Sequence, residues 1–303
     1  MTEIQRYLAE EIAEDHADGF VSRREALRRL GLLGLSGAAA ASLLAAAVAG
    51  EAKAVARKGT AGSATEPQAA TAEEAALATP EITFRGPGGR SLMGAWGAAE
   101  RPRGGVLVIH ENRGLNDSIR SVAGRLAASG YSALAIDLLS EEGGTGSFAD
   151  EFEAMAALGA VPPSRFVADM KAGVTELRRR LPRKKIAATG FCFGGGMTWL
   201  LLASKESRLA AAVPFYGTFP DGGNLSGAKA AVLGIYAELD SRVNATRSAA
   251  RAALRKAGLK HSIVTYPDVD HAFFNPTSSR YDRAAATAAY RRMTSWFDRY
   301  VAT

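Results

Sequence analysis

The feature that most constrains this chain is a series of short apolar runs spaced by helix-length intervals. GGVLVIHE (104–111), YSALAIDLL (131–139), KKIAATGFC (184–192), LAAAVPFYG (209–217), AAVLGIYAELD (230–240) and HSIVTYPD (261–268) show little polar alternation. Strands of that kind are covered on both faces, as in a parallel sheet. Helical patterns fill the intervals at 117–129, 164–180, 194–204, 244–258 and 281–300, with Ser164 a candidate cap. Alternating strands and helices predict an α/β fold, a mostly parallel twisted sheet with helices on both faces. Upstream, 81–85 and 91–96 flank Gly-Pro-Gly-Gly, which predicts an N-terminal hairpin.

The first eighty residues follow another logic. SRREALRRLGLLGLSGAAAASLLAAAVAG (22–50) sets paired arginines before an apolar stretch that ends in small residues. That is the order of an export signal. Ser22-Arg23-Arg24 followed by Leu27 is similar to a twin-arginine motif, with Ala26 where Phe is often found. Residues 1–50 are thus expected to direct export to the periplasm or outside, and an uncleaved segment would act as an anchor. Residues 51–80 are poor in aromatic and large aliphatic side chains and are expected to be a low-complexity linker. The functional domain is expected over 81–303, with no stable membrane span in the mature protein.

The net charge of +6 raises the question of nucleic acid. The basic residues are scattered along helical faces without interleaved aromatics, a solvated pattern that argues against such a partner. The single Cys rules out an intramolecular disulfide.

That Cys lies in AATGFCFGGG, where a buried strand turns directly into a helix. Gly190-Phe191-Cys192-Phe193-Gly194 fits the G-x-nucleophile-x-G elbow with Cys in place of Ser. The turn leaves no room for side chains at the flanking positions, and the helix N-terminus beside the sulfur favours thiolate. A phosphate-cradling loop would end in Lys-Ser or Lys-Thr, but Met197-Thr198 follows.

A Cys nucleophile needs a base, and the base needs an orienting acid. In hydrolases of this topology the chain order is nucleophile, acid, base. Two histidines follow Cys192. His261 opens a strand, whereas His271 falls in a loop past the last strand, at the carboxyl edge where such sites assemble. His110 closes an earlier strand. Asp240 ends the strand before the last, with Glu238, Asp268 and Asp270 as rivals.

HENRG (110–114), GFCFGGG (190–196), YAELD (236–240) and DHAFFN (270–275) resemble the dienelactone hydrolase family of α/β-hydrolases, over roughly 81–301. The resemblance implies the α/β-hydrolase fold, a Cys192-His271-Asp240 triad and hydrolysis of a small ester or lactone (carboxymethylenebutenolidase-like) through an acyl-thioester. It also implies that Glu111 pairs with the thiol at rest. Backbone N–H groups of Asn112 and Phe193 are expected to bind the oxyanion. No metal and no organic cofactor are implied.

The arginines with which the family holds an anionic lactone are not matched. Asn275 stands in the stretch after His271, Arg280 is far along, and the loop after Leu139 reads SEEGGTGS. Arg113 is a substitute, and Trp199, Phe273 and Phe274 are expected to line an apolar pocket. A non-catalytic binding protein on the same fold is the alternative; a redox-sensing thiol lacks a resolving Cys.

Overall fold

In the computed structural model the described residues are 1–55 and 76–303. They divide into two compact units, Met1–Glu73 with Phe148–Pro163, and Glu74–Ser147 with Ser164–Thr303.

The smaller unit is helical. α1 (Glu3–Ala17) opens with a reciprocal cap in which Thr2 and Gln5 satisfy each other's backbone N–H. α2 (Arg23–Leu32) is capped by Ser22, so the paired arginines occupy its first turn. α3 spans Gly37–Val55. The apolar stretch from 30 to 50 is therefore not one helix. Gly34 adopts φ +86°, the left-handed conformation that ends a helix, between α2 and α3.

These helices gather around Leu8, Ile12, Leu30 and Leu44, all buried, together with a further helix, Glu151–Ala160. Sequence periodicity did not reveal that helix. Its signal is Asp150, which accepts the N–H groups of Phe152 and Glu153, and Pro162-Pro163 just beyond its end. A side chain at Gly159 would press on Leu33 at 3.0 Å. Residues 148–163 thus group with the N-terminal helices, although sequence assigns them to the 81–303 domain. The expected boundary at 50 falls inside α3, and most of the expected linker lies outside the described residues. No described helix is long and apolar enough to cross a membrane.

The larger unit holds the sheet. β1 (Glu81–Arg85) and β2 (Ser91–Gly97) form the expected hairpin, with Glu81 opposite Ala95 and Arg85 opposite Ser91. β3 (Gly104–Ile109), α4 (Asp117–Ala128) and β4 (Tyr131–Asp137) follow, and the helix Glu151–Ala160 is α5 in chain order. Then come α6 (Pro163–Arg180), β5 (Ile186–Phe191), α7 (Phe193–Ala203), β6 (Leu209–Phe215) and β7 (Ala231–Ala237). α8 (Ser241–Lys256), β8 (His261–Tyr266) and α9 (Arg283–Tyr300) complete the chain. α8 starts three residues earlier than the pattern predicts, because Asp240 caps it through the Val243 N–H.

The strand order is β1-β2-β4-β3-β5-β6-β7-β8. β2 is antiparallel to β1 and β4, and every other pairing is parallel. β3 through β7 are buried almost throughout, which explains their unbroken apolar composition. From β3 the chain moves to β4 on one side and returns to β5 on the other. Connections diverge there, leaving a crevice at the carboxyl ends of β3 and β5.

Candidate active site

Cys192 sits in that crevice, between the end of β5 and the start of α7. Its backbone has φ 55° and ψ −119°, a combination a non-glycine residue adopts at a cost of about 1–3 kcal/mol. Neighbouring glycines allow it. A Cβ on Gly190 would fall 2.1 Å from the Gly194 carbonyl oxygen, and one on Gly194 would fall 2.3 Å from that of Ile109. The turn is held by Cys192 N–H donating to Phe215 O at 3.1 Å and by Gly196 N–H donating to Cys192 O at 3.1 Å. The side chain is only 2% exposed.

His271 reaches the same point from the loop after β8. Cys192 Sγ and a ring nitrogen of His271 lie within 4.8 Å of each other. On its other side, His271 Nδ1 is 2.6 Å from Asp240 Oδ2. Asp240 Oδ1 accepts the Val243 N–H at 3.0 Å, so helix cap and imidazole share one carboxylate. Burial works against a charged ring, yet the Asp240 carboxylate and the Cys192 sulfur carry the His271 pKa well above its usual value. For Asp240 burial is again the largest influence and raises the pKa. The His271 charge and hydrogen bond, with Arg242 and the Val243 N–H, overcome it and hold the carboxyl below its ordinary range.

The rival residues are placed elsewhere or otherwise employed. His261 opens β8 at the opposite end of the sheet, with Nδ1 2.7 Å from Leu259 O. His110 is fully buried, donates from Nδ1 to Glu111 O at 2.6 Å and accepts the Leu138 N–H at Nε2. Burial lowers its pKa, and both ring nitrogens are used structurally. Glu238 accepts the Asp268 N–H, and Asp270 accepts the N–H of His271 itself.

Glu111 follows β3 and is 5% exposed. Its Oε2 accepts from Asn275 Nδ2 at 2.5 Å and its Oε1 from the Tyr216 hydroxyl at 3.4 Å. Asn112 and the exposed Arg113 continue the same loop. Phe193 opens α7, where first-turn N–H groups point along the helix axis and are not used by the helix itself. Its ring packs edge-on against Phe166, with centroids 5.4 Å apart.

Sequence reasoning missed Tyr216. It directly follows β6 in a left-handed conformation (φ 32°), with its ring 5.1 Å from that of His271. Burial, then Glu111 and Cys192, push its hydroxyl pKa well above 10, so the group stays neutral and can donate to Glu111. The available signal was the Phe-Tyr-Gly ending of an otherwise apolar run. The three aromatics expected to line a pocket are buried in packed clusters. Trp199 stands edge-on to Phe219, Phe273 packs on Tyr216 and Tyr266, and Phe274 stacks on Phe191.

The eight-strand topology with a strand-elbow-helix at its switch point is that of an α/β-hydrolase. Comparison with known proteins narrows the class. The dienelactone hydrolase family model matches residues 94–301. A carboxymethylenebutenolidase-named relative from Escherichia coli O157:H7 is 35% identical over 208 residues, covering 64% of this chain and 76% of the relative. Another, from Saccharolobus solfataricus, is 29% identical over 235 residues, covering 66% and 91%. Among solved structures, a dienelactone hydrolase-titled protein from Klebsiella pneumoniae superposes with a TM-score of 0.62 at 30% identity, covering 74% of this chain and all of the other (100%). A dienelactone hydrolase-like promiscuous phosphotriesterase from metagenomic libraries gives 0.62 at 25% identity, covering 74% and 99%. The chain belongs to the dienelactone hydrolase family and is a hydrolase of esters or lactones.

Proposed function

We propose that the hydrolysis runs through a Cys192-His271-Asp240 triad and an acyl-thioester. The observation that carries this reading is His271, set between the Asp240 carboxylate at 2.6 Å and the sulfur of Cys192.

The Cys192 thiol gives its proton to His271, and Sγ bonds to the carbonyl carbon of a small ester or lactone. The carbonyl π pair moves onto oxygen, where the N–H groups of Phe193 and Asn112 receive it. Collapse expels the alkoxide, which takes the proton back from His271. Water then attacks the thioester, loses a proton through His271, and releases the acid and the Cys192 thiol. Asp240 holds the ring in one orientation and offsets the charge it carries between steps. Glu111 serves as a second acceptor for the thiol proton at rest, a role supported by the Tyr216 hydroxyl, whose pKa both Glu111 and Cys192 raise.

The test uses small aryl esters, a lactone and a phosphotriester, before and after alkylation of the single Cys. Loss of turnover in proportion to alkylation supports the thiol route, and full activity after complete alkylation rules it out. We also propose that residues 1–50 serve as a twin-arginine-type export signal, supported by the paired arginines and the uncharged stretch after Leu30.

A further inference from the structure

Asn275 is 8% exposed, and all its polar atoms have defined duties. Its carbonyl oxygen accepts from Ser118 Oγ (3.2 Å), Thr277 N–H (2.9 Å) and Thr277 Oγ1 (2.8 Å). Three donors on that oxygen leave no ambiguity about which end of the amide is which. The NH₂ end faces Glu111, to which Nδ2 donates at 2.5 Å. α4 and the loop after β8 thus converge on one amide whose role is to aim a donor at a buried carboxylate.

We infer that Asn275 is a positioning residue that fixes Glu111 at the elbow with an uncharged donor, and that the site consequently selects acyl substrates without a carboxylate. The inference rests on the hydrolase reading above and adds the substrate class. A charge-bearing donor at this position would hold Glu111 and also attract an anionic substrate. The amide does the first without the second. A substrate carboxylate entering the crevice would meet Glu111, and later the thiolate, with no compensation from residue 275. In a buried site such repulsion is weakly screened.

Two matched pairs of probes test this on the full-length protein. The first is iodoacetamide against iodoacetate, which alkylate Cys192 with a neutral or an anionic reagent and require no turnover. The second is p-nitrophenyl methyl succinate against p-nitrophenyl hemisuccinate. The neutral-to-anionic rate ratio for alkylation is expected to exceed that of free cysteine by about tenfold or more. The ester pair is expected to show the same preference in kcat/KM. Asn275→Arg is expected to cut both ratios by about tenfold, chiefly through the anionic ester's KM.

An alkylation ratio equal to that of free cysteine overturns the inference. So does a folded Asn275→Arg protein, checked by thermal melting, whose ratios match the wild type. If neither ester is turned over while the alkylation ratios behave as expected, the hydrolytic mechanism fails and the charge selection stands.

Discussion

Asp240 Oδ2 lies 2.6 Å from His271 Nδ1, while the other oxygen of the same carboxylate receives the Val243 N–H at 3.0 Å. One side chain thus starts α8 and orients the imidazole. The ring is aimed from a rigid helix end as well as from its own loop, and two substitutions separate these duties. Asp240→Asn keeps a good cap, so the stability it loses is that of the pairing with His271, a loss expected to shrink as pH rises. It should nonetheless reduce kcat/KM by about a thousandfold, because an amide offsets no imidazolium charge. Asp240→Ala should lose both, with a further stability cost of about 1 kcal/mol. Urea unfolding beside ester kinetics on both variants checks the separation.

The pKa directions predict a pH dependence. His271 is raised, so its stabilising contribution is complete below about pH 6.5, the unfolded value, and is lost as pH rises through the folded pKa. Asp240 is depressed, so its contribution is present above about pH 3.8 and is lost as pH falls through the folded pKa. The wild type should therefore exceed His271→Gln in stability most clearly between these limits, and the margin should shrink on the alkaline side. NMR titration of the four histidines gives the direct check. Cys192→Ala and Asp240→Asn should each move the His271 midpoint downward.

The elbow tolerates no Cβ at Gly190, where it would overlap the Gly194 carbonyl oxygen at 2.1 Å. The oxygen is backbone and the Cβ position is fixed by the backbone that bears it, so no side-chain rotation relieves the overlap. Gly190→Ala is expected to destabilise the protein by about 3 kcal/mol or more and to abolish turnover. Gly88→Ala, in the open hairpin turn, is the control; its cost should come only from its left-handed φ, at about 1 kcal/mol. Chemical denaturation of the two variants gives the comparison.

Tyr216→Phe removes the hydroxyl that donates to Glu111 at 3.4 Å and keeps the ring against His271. The expected stability loss is about 1 kcal/mol. Rates should fall about tenfold, since Glu111 loses one of its donors in a buried setting. Tyr216→Leu should cost more, by losing the ring packing around His271 as well.

The export proposal predicts that a fusion of residues 1–50 to a reporter that must fold before transport reaches the periplasm of a bacterial host. Replacing Arg23 and Arg24 with Lys should retain it in the cytoplasm, as fractionation would show. Export of the Lys-Lys form would remove the twin-arginine reading.

Much of this protein was written in its sequence by itself. Buried strands must be apolar on both faces, so the apolar runs announced a parallel sheet, although the last of them, β8, lies half-buried at the sheet edge; the hairpin announced itself through Gly-Pro-Gly-Gly. The elbow was equally legible, because a turn this tight admits glycine on both sides of Cys192 and little else. Chain order then pointed to His271 as the base and to Asp240, with Glu238, Asp268 and Asp270 as rivals, as the acid, since a fixed topology brings particular strand ends to one crevice. Tertiary structure alone decided the rest. Residues 148–163 carry the capping signal of a helix, but only packing against Leu8 and Leu33 groups them with the N-terminus. Asn275 and Tyr216 read as an ordinary loop amide and a strand-end aromatic until the fold brings them to Glu111, a carboxylate 164 and 105 residues away in sequence. Periodicity encodes which face of an element is buried; it carries no information on which distant polar group will be waiting there.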